Sequence, residues 1–438
     1  MLFRRIARKG LVVALACLAG MAVAVCAEPQ EIASSLTLDE AVTEALRNNP
    51  QIRAMQARWD AARERPVQER TLPDPTIQYS GMDMVNGGDW PNTGEKRVSM
   101  EQMFPWFGKL GLRGKVAEKD AEIVHDDHMT MELEVVTSIK ETYFDLYAVQ
   151  HALSITRTEE EVLERMATVA ETRYGTGQVG QQDVLKAQTE ITMLKQRLLE
   201  LQQQETTLKA RLNLLMNRPA AAPLGLAVTV PAVEVEADAS DLLARAEKYR
   251  PEIKGARAEI ERSRAQRKLM EKASFPDYRL GVEYRNVGVD FSSFRRADDM
   301  IMFTVGIDLP IWRTKYRAGV READKTIESR RAALEAAQRQ TAFDVRDAQF
   351  KLLTARRTFD LYKNTLIPQA EARFEASEAG YRTGKVEFLD LLESERFLLT
   401  ARVMAAMAEG KLGMEAARLE RAIGTDLKSA GQPEGEKK

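Results

Sequence analysis

The sequence predicts a mainly helical chain in which one unit of about 200 residues is written twice, each copy holding long helices and a pair of short strands. Three observations carry this. First, four landmarks recur in the same order. Asn49-Pro50-Gln51-Ile52 returns as Arg250-Pro251-Glu252-Ile253, and Leu72-Pro73-Asp74 as Phe275-Pro276-Asp277. Phe104-Pro105-Trp106 returns as Leu309-Pro310-Ile311-Trp312, and Tyr174-Gly175-Thr176-Gly177 as Tyr381-Arg382-Thr383-Gly384. Second, long proline-poor runs carry apolar residues three and four apart, the spacing of a coiled-coil seam. Third, short segments alternate apolar and polar residues, the period of a strand.

The composition agrees. The 438 residues are 30% charged, with only 14 Phe, 4 Trp and 10 Tyr, as expected of long helices. The 25 Gly and 15 Pro exclude collagen-like and low-complexity chains. A net charge of −2 argues against nucleic-acid binding, which calls for a basic excess.

Residues 1–27 read as a secretory signal peptide: Arg4, Arg5, Arg8 and Lys9, then an apolar run from Leu11 to Val25, with cleavage after Ala27. Both cysteines, Cys17 and Cys26, leave with it, so the mature chain has no thiol chemistry and loses four positive charges. The competing reading is lipidation at Cys26, although Val25 stands where a smaller residue is expected.

The first structural repeat is placed at 36–217. A helix opens at Thr37-Leu38-Asp39-Glu40 and runs to about Arg70, where Pro73-Asp74-Pro75 stops it. Strands follow at 76–85 and 97–104. A helix over 111–173 would span roughly 90 Å, and its return over 181–217 carries a seam of Val184, Ala187, Ile191, Leu194, Leu198, Leu201, Leu208, Leu212 and Leu215, interrupted by Glu205. Segment 218–240, with a β-like Val228–Val235 stretch, is a linker halfway along the helices. The second repeat, 241–425, has strands at 279–288 and 300–309, a long helix over 315–379 kinked at Pro368, and a return over 387–424. The tail, 426–438, is expected to be disordered.

In the last strand Ile301, Phe303, Val305, Ile307 and Leu309 alternate with Met302, Thr304, Gly306 and Asp308. About ten such residues cross a membrane as a tilted barrel strand. Four strands cannot close a membrane barrel, and open edges in lipid leave amides unpaired, so a barrel has to be shared among copies. Two chains would give eight strands and three would give twelve. The alternative is a soluble hairpin beneath a helical bundle.

The ordered set of features resembles the outer-membrane efflux protein family typified by TolC: signal peptide, duplication, paired strands, Tyr-x-Thr-Gly turns, and Asp183-Val184-Leu185 echoed by Asp390-Leu391-Leu392. It spans about residues 36–425. Phe104-Pro105-Trp106-Phe107-Gly108-Lys109 is similar to the heavy-metal (CzcC- and CusC-like) branch. The resemblance implies a homotrimer with a twelve-stranded barrel in outer-membrane lipid on a long periplasmic helical barrel. It also implies a periplasmic adaptor (membrane fusion) protein and an inner-membrane pump of the resistance-nodulation-division class. The rivals are an exit duct for type I protein secretion and a periplasmic coiled-coil scaffold.

By that resemblance Tyr174, Gly177, Tyr381 and Gly384 form periplasmic tips where the adaptor docks, alike in both halves. Asp390 and Glu393 stand nine and twelve residues past Tyr381, where TolC-like proteins place two acidic lumen rings. Glu393 departs from that pattern, as does Val386, which stands where TolC has an Arg. Asp183 and Tyr381 are the expected hydrogen-bonding partners of the closed gate.

Other candidates are weaker. His125 and His128, three apart on a helix, could present two imidazoles to a metal, but nothing supplies further ligands, and an exposed polar face is the plainer account. Met82, Met84, Met100, Met103, Met300 and Met302 on or near the strands could offer thioethers to soft metals, or simply fill irregular packing. Gly88–Lys96 superficially resembles a phosphate loop, with the spacing one too long and Glu95 where Lys is needed; it reads as an extracellular loop. No nucleophile elbow, His-Glu-x-x-His or dinucleotide fingerprint is present, so neither catalysis nor a cofactor is expected.

Overall fold

The structure is a computed structural model and describes residues 36–82, 95–227, 238–287 and 299–427. The signal peptide with Cys26, the loop residues 88–94, the stretch 228–235, Met84 and the tail beyond Leu427 lie outside the described residues.

The element order runs twice. The first series is α1 (Leu38–Asn48), α2 (Pro50–Arg70), β1 (Thr76–Met82), β2 (Glu95–Phe104), α3 (Lys109–Gly175) and α4 (Gln181–Leu215). The second is α5 (Ala239–Tyr249), α6 (Pro251–Lys272), β3 (Asp277–Val287), β4 (Met300–Asp308), α7 (Arg313–Leu361), α8 (Ile367–Arg382) and α9 (Phe388–Ile423).

The expected single opening helix is two helices in each series, which corrects the reading of an unbroken helix to Arg70. A residue before proline is pushed out of the α region, and Asn49 and Arg250 both sit at ψ near +120° (124° and 120°). Thr37 closes the start of α1 in a capping box with Glu40. Asn49 then does two jobs. Its Oδ1 accepts from the Gln51 and Ile52 amides at 2.8 and 3.4 Å, and its Nδ2 donates to the Leu215 carbonyl at 2.9 Å. The start of α2 is thereby seated on the end of α4. At the corresponding place in the second series, the left-handed Gly424 (φ +74°) that ends α9 meets Arg250; a Cβ there would lie 2.9 Å from Arg250 Cα.

The long α3, 67 residues, packs against α2, α4, α6 and α9, while α7 packs on α6 and α9, and α8 on α9. Gly410 and Gly413 let α9 close on α3, since a Cβ at either would come within 2.6 Å of Ala148 or Phe144. The α4 seam is buried at Ala187, Leu194, Leu198, Leu201 and Leu212. Glu205 interrupts it for a polar reason: it accepts from Gln150 at 3.1 Å and pairs with Lys209 at 2.7 Å. The kink expected at Pro368 is a π-helical turn over Tyr362–Leu366 just before it. Pro368 has no amide hydrogen to donate and its ring crowds the carbonyl four residues back, and one wider turn absorbs the mismatch. The predicted tail starts too early, because Asp426 pairs with Lys140 at 3.2 Å and the Leu427 amide donates to Glu420 at 3.2 Å.

The strands form one antiparallel sheet in the order β1-β2-β3-β4. Its register sorts the side chains into two faces. Rows such as Ile77–Met100–Val282–Phe303 and Tyr79–Val98–Tyr284–Ile301 make one apolar face. Rows such as Gln78–Ser99–Glu283–Met302 and Ser80–Arg97–Arg285–Met300 make the other. The polar face carries Arg97–Glu283 at 3.1 Å and Arg279–Asp308 at 2.6 Å, whereas Phe303 and Val305 on the apolar face are 80% and 70% exposed. No helix among the described residues is long and apolar enough to cross a membrane.

Candidate functional site

Where sheet meets helices, Gly108 in the left-handed region (φ +87°) turns the chain into α3. The buried Lys109 donates from Nζ to Asp277 Oδ1 at 2.8 Å and to the Phe275 carbonyl at 2.9 Å. The Trp106 amide reaches the same carboxylate at 2.6 Å, and the Trp106 ring stacks on Phe275 and Tyr278 at 5.2 and 5.7 Å. Two of the repeated landmarks therefore lock to each other across the two halves. In the sequence they read only as landmarks of the repeat.

At the far end, each hairpin reverses through a glycine in the left-handed region, Gly177 at φ +72° and Gly384 at φ +77°. The Gly177 and Gly384 amides donate to the Tyr174 and Tyr381 carbonyls at 2.9 and 3.1 Å. Thr176 and Thr383 hydroxyls bond the freed carbonyls of Arg173 and Gly380, each at 3.0 Å. The same turn chemistry is present twice.

The side chains around it are not alike, contrary to the expectation of equivalent tips. Tyr174 is 47% exposed, whereas Tyr381 is buried against Phe388, with ring centroids 5.5 Å apart. The Arg173 guanidinium lies 4.4 Å over the Tyr381 ring and donates to the Tyr381 and Arg382 carbonyls at 3.0 and 3.3 Å. Tyr381 belongs to an apolar cluster with Leu163, Ala167 and Ala170 of α3, Ala187 and Leu194 of α4, and Leu391 and Leu392 of α9. Its hydroxyl has no hydrogen-bond partner among the described residues, Asp183 included. Burial, opposed by Arg173 and aided by the Asp183 charge, pushes this phenol's pKa up. Asp390 and Glu393 are both exposed in the first turns of α9, three residues apart, with no ion pair among the described residues.

Above the turns lies a charged cluster that the sequence did not single out. Arg402 of α9 reaches Glu159 of α3 at 2.8 Å and Glu371 of α8 at 2.9 Å. Glu395 of α9 is buried beside Glu159, itself 3% exposed. Burial first, then the neighbouring Glu159 carboxyl, push Glu395 up to about 8, against the pull of Arg402. The four charges come from three helices, and only packing collects them.

No further side chain joins the two imidazoles as a metal ligand among the described residues. His125 and His128 bracket Trp59 of α2, with ring centroids 4.6 and 6.1 Å away, and His128 is buried against Glu132 at 3.5 Å. Nor is His128 on an exposed face, because α2 covers it. No group of three or more His, Cys, Asp or Glu among the described residues could hold a metal. The methionines are divided: Met100 lies on the apolar face, and Met103 is six strand positions from Met300 across the sheet.

The description of the family "Outer membrane efflux protein" matches residues 41–218 and 242–425, one span in each series. The chain is 23% identical to the cobalt-zinc-cadmium resistance protein CzcC of Cupriavidus metallidurans, over 90% of this chain and 92% of that protein. It is 22% identical to the outer membrane protein TolC of Vibrio cholerae over 89% and 90%, and 24% identical to the pyoverdine export protein OpmQ of Pseudomonas putida over 84% and 82%. Among solved structures, CusC superposes with a TM-score of 0.75 at 18% identity, covering 89% of this chain and 92% of CusC. VceC of Vibrio cholerae follows with 0.74 at 18%, over 89% and 96%. With the sheet, the long helices and both halves matched, the chain belongs to the outer membrane efflux protein family.

Proposed function

We propose that three copies of this chain form the exit duct of a tripartite efflux pump, carrying substrate from periplasm to exterior without chemistry. One observation supports this most: a four-stranded sheet whose apolar face is open and whose outer strands, β1 and β4, each pair on one side only among the described residues. In lipid those edges need partners, and three copies supply twelve strands, with the polar face lining the lumen. The repeated element order is read as a tandem duplication. The helical tips are read as the docking surface for a periplasmic adaptor linked to an inner-membrane pump of the resistance-nodulation-division class. Asp390 and Glu393, with Asp183 and Tyr381 behind them, are the proposed gate. Heavy-metal cations are the favoured substrates, because the relative CzcC is named for cobalt, zinc and cadmium resistance.

The membrane register is tested with two neighbouring substitutions. Val305→Arg on the apolar face should cost about 2–4 kcal/mol and cut the yield of assembled trimer in outer-membrane fractions. Thr304→Arg, on the polar face, should assemble normally. Equal yields would overturn the register. For substrate, cells lacking the chain should become sensitive to cobalt, zinc or cadmium and be rescued by it; sensitivity confined to drugs would reassign the cargo.

A further inference from the structure

The apolar face of β4 continues past the end of the strand. Leu309 and Ile311 keep the alternation and are 69% and 67% exposed, and Trp312 beside them is 73% exposed. Directly beyond, α7 opens with Arg313, Arg317 and Arg321, four apart and therefore on one helical face. With Leu309, Ile311 and Tyr316 they line an open groove of about 1060 Å³ between the end of α6 and the start of α7.

Two arginines on the same pair of helices are paired across them, Arg267 with Asp324 at 2.5 Å and Arg330 with Glu259 at 3.0 Å. The groove's acid, Glu271, is held by Arg267 at 2.8 Å. The side chains of Arg313, Arg317 and Arg321 have no ion pair or hydrogen bond among the described residues. Cations at the start of a helix oppose its dipole, so the first of them costs stability unless an anion meets it. Nor does the fold demand them. Aligning Pro105 with Pro310 puts Gly108, Leu112 and Val116 at the same places in the first series.

We infer that this groove binds the headgroup of an anionic phospholipid in the periplasm-facing leaflet of the outer membrane. The inference rests on the duct reading, which puts the β4 end of α7 at the periplasmic edge of the bilayer. Guanidinium groups grip a phosphate through paired N–H bonds, and arginine stems lie along apolar surface while their heads stay wet. The acyl chains would run along Leu309, Ile311 and the exposed face of β4. A zwitterionic lipid carries its own cation and gains less from three unpaired arginines. The lipid would act as mortar at the neck, on the second series only.

The test uses the full chain reconstituted in nanodiscs with equal phosphatidylglycerol and phosphatidylcholine, with retained lipid counted by mass spectrometry after transfer to detergent. The wild type should keep phosphatidylglycerol over phosphatidylcholine about tenfold, and less at high salt. The triple variant R313Q/R317Q/R321Q should lose that preference while remaining trimeric, and Arg317→Gln alone should lose part of it. Arg330→Gln, whose arginine is already paired, should change nothing. No preference in the wild type, or a preference kept by the triple variant, would overturn the site. If the arginines instead pair with a neighbouring copy, the triple variant would fall apart while the wild type shows no lipid preference, which also overturns it. A chain that conducts in bilayers but shows no preference refutes this site alone; one that never inserts refutes the duct.

Discussion

At the end of the first hairpin Tyr174 stands 47% exposed, whereas at the end of the second Tyr381 is 6% exposed, although both precede glycines with φ near +75° (+72° and +77°). The backbone demand is the same, because reversing two long helices needs a left-handed residue and a hydroxyl for the freed carbonyls. The surroundings differ because the matching positions differ. Gly380 stands where the first hairpin has Arg173, and Phe388 stands where it has Gln181. Further up, Glu393 replaces Lys186 and Glu395 replaces Gln188. One tip therefore presents its tyrosine outward, and the other folds it under an arginine borrowed from the first. A shared turn motif reports shared geometry and says little about shared role.

The largest effect should separate the tyrosines. Tyr381→Ala removes a ring from a packed cluster and should cost about 3–5 kcal/mol locally, whereas Tyr174→Ala should stay within about 0.5 kcal/mol. Hydrogen exchange at the two tips reads both; equal protection loss would dissolve the contrast.

Next comes pH, acting through a buried carboxyl of the second hairpin. Glu395 has an ordinary value of 4.5 and is raised to about 8 when folded, chiefly by burial and then by Glu159. Between those values the folded chain holds a proton that the unfolded chain releases. The stabilisation is therefore complete below about pH 4.5 and is lost progressively as pH rises through about 8. Glu395→Gln should flatten thermal stability across that window. An unchanged slope would mean the buried carboxyl is charged throughout.

Gly177→Val and Gly384→Val should behave alike, each costing about 1–3 kcal/mol of backbone strain, since both lie at positive φ with open space around the missing Cβ. Trimers should persist in the outer membrane while resistance is lost. Dissociation of the trimer would make the turns purely structural.

The smallest change in stability should come from Asp390→Ala with Glu393→Ala, exposed groups within about 0.5 kcal/mol of neutral. Their effect should appear in planar bilayers instead, as weaker cation selectivity and loss of block by trivalent cations from the periplasmic side. Asp183→Ala should raise the resting conductance. A double variant with unchanged selectivity and block would remove these carboxylates from the pore.

Much of this architecture was legible in the residues alone, because it rests on local or periodic demands. Alternation in Ile301–Leu309 announced the apolar face, three-four spacing announced the α4 seam, and Tyr-x-Thr-Gly announced the turns. The break at Asn49–Pro50 was also local, and the proline landmark should have betrayed it. What depended on tertiary packing was which distant residues meet. Lys109 finds Asp277 168 positions away, and Arg402 finds Glu159 243 away. His128 disappears beneath Trp59, and Tyr381 beneath Arg173. Periodicity tells which face of a helix is buried, but not which neighbour buries it. The partner is chosen by how the helices pack side by side, and that choice made one tyrosine a surface and the other a core.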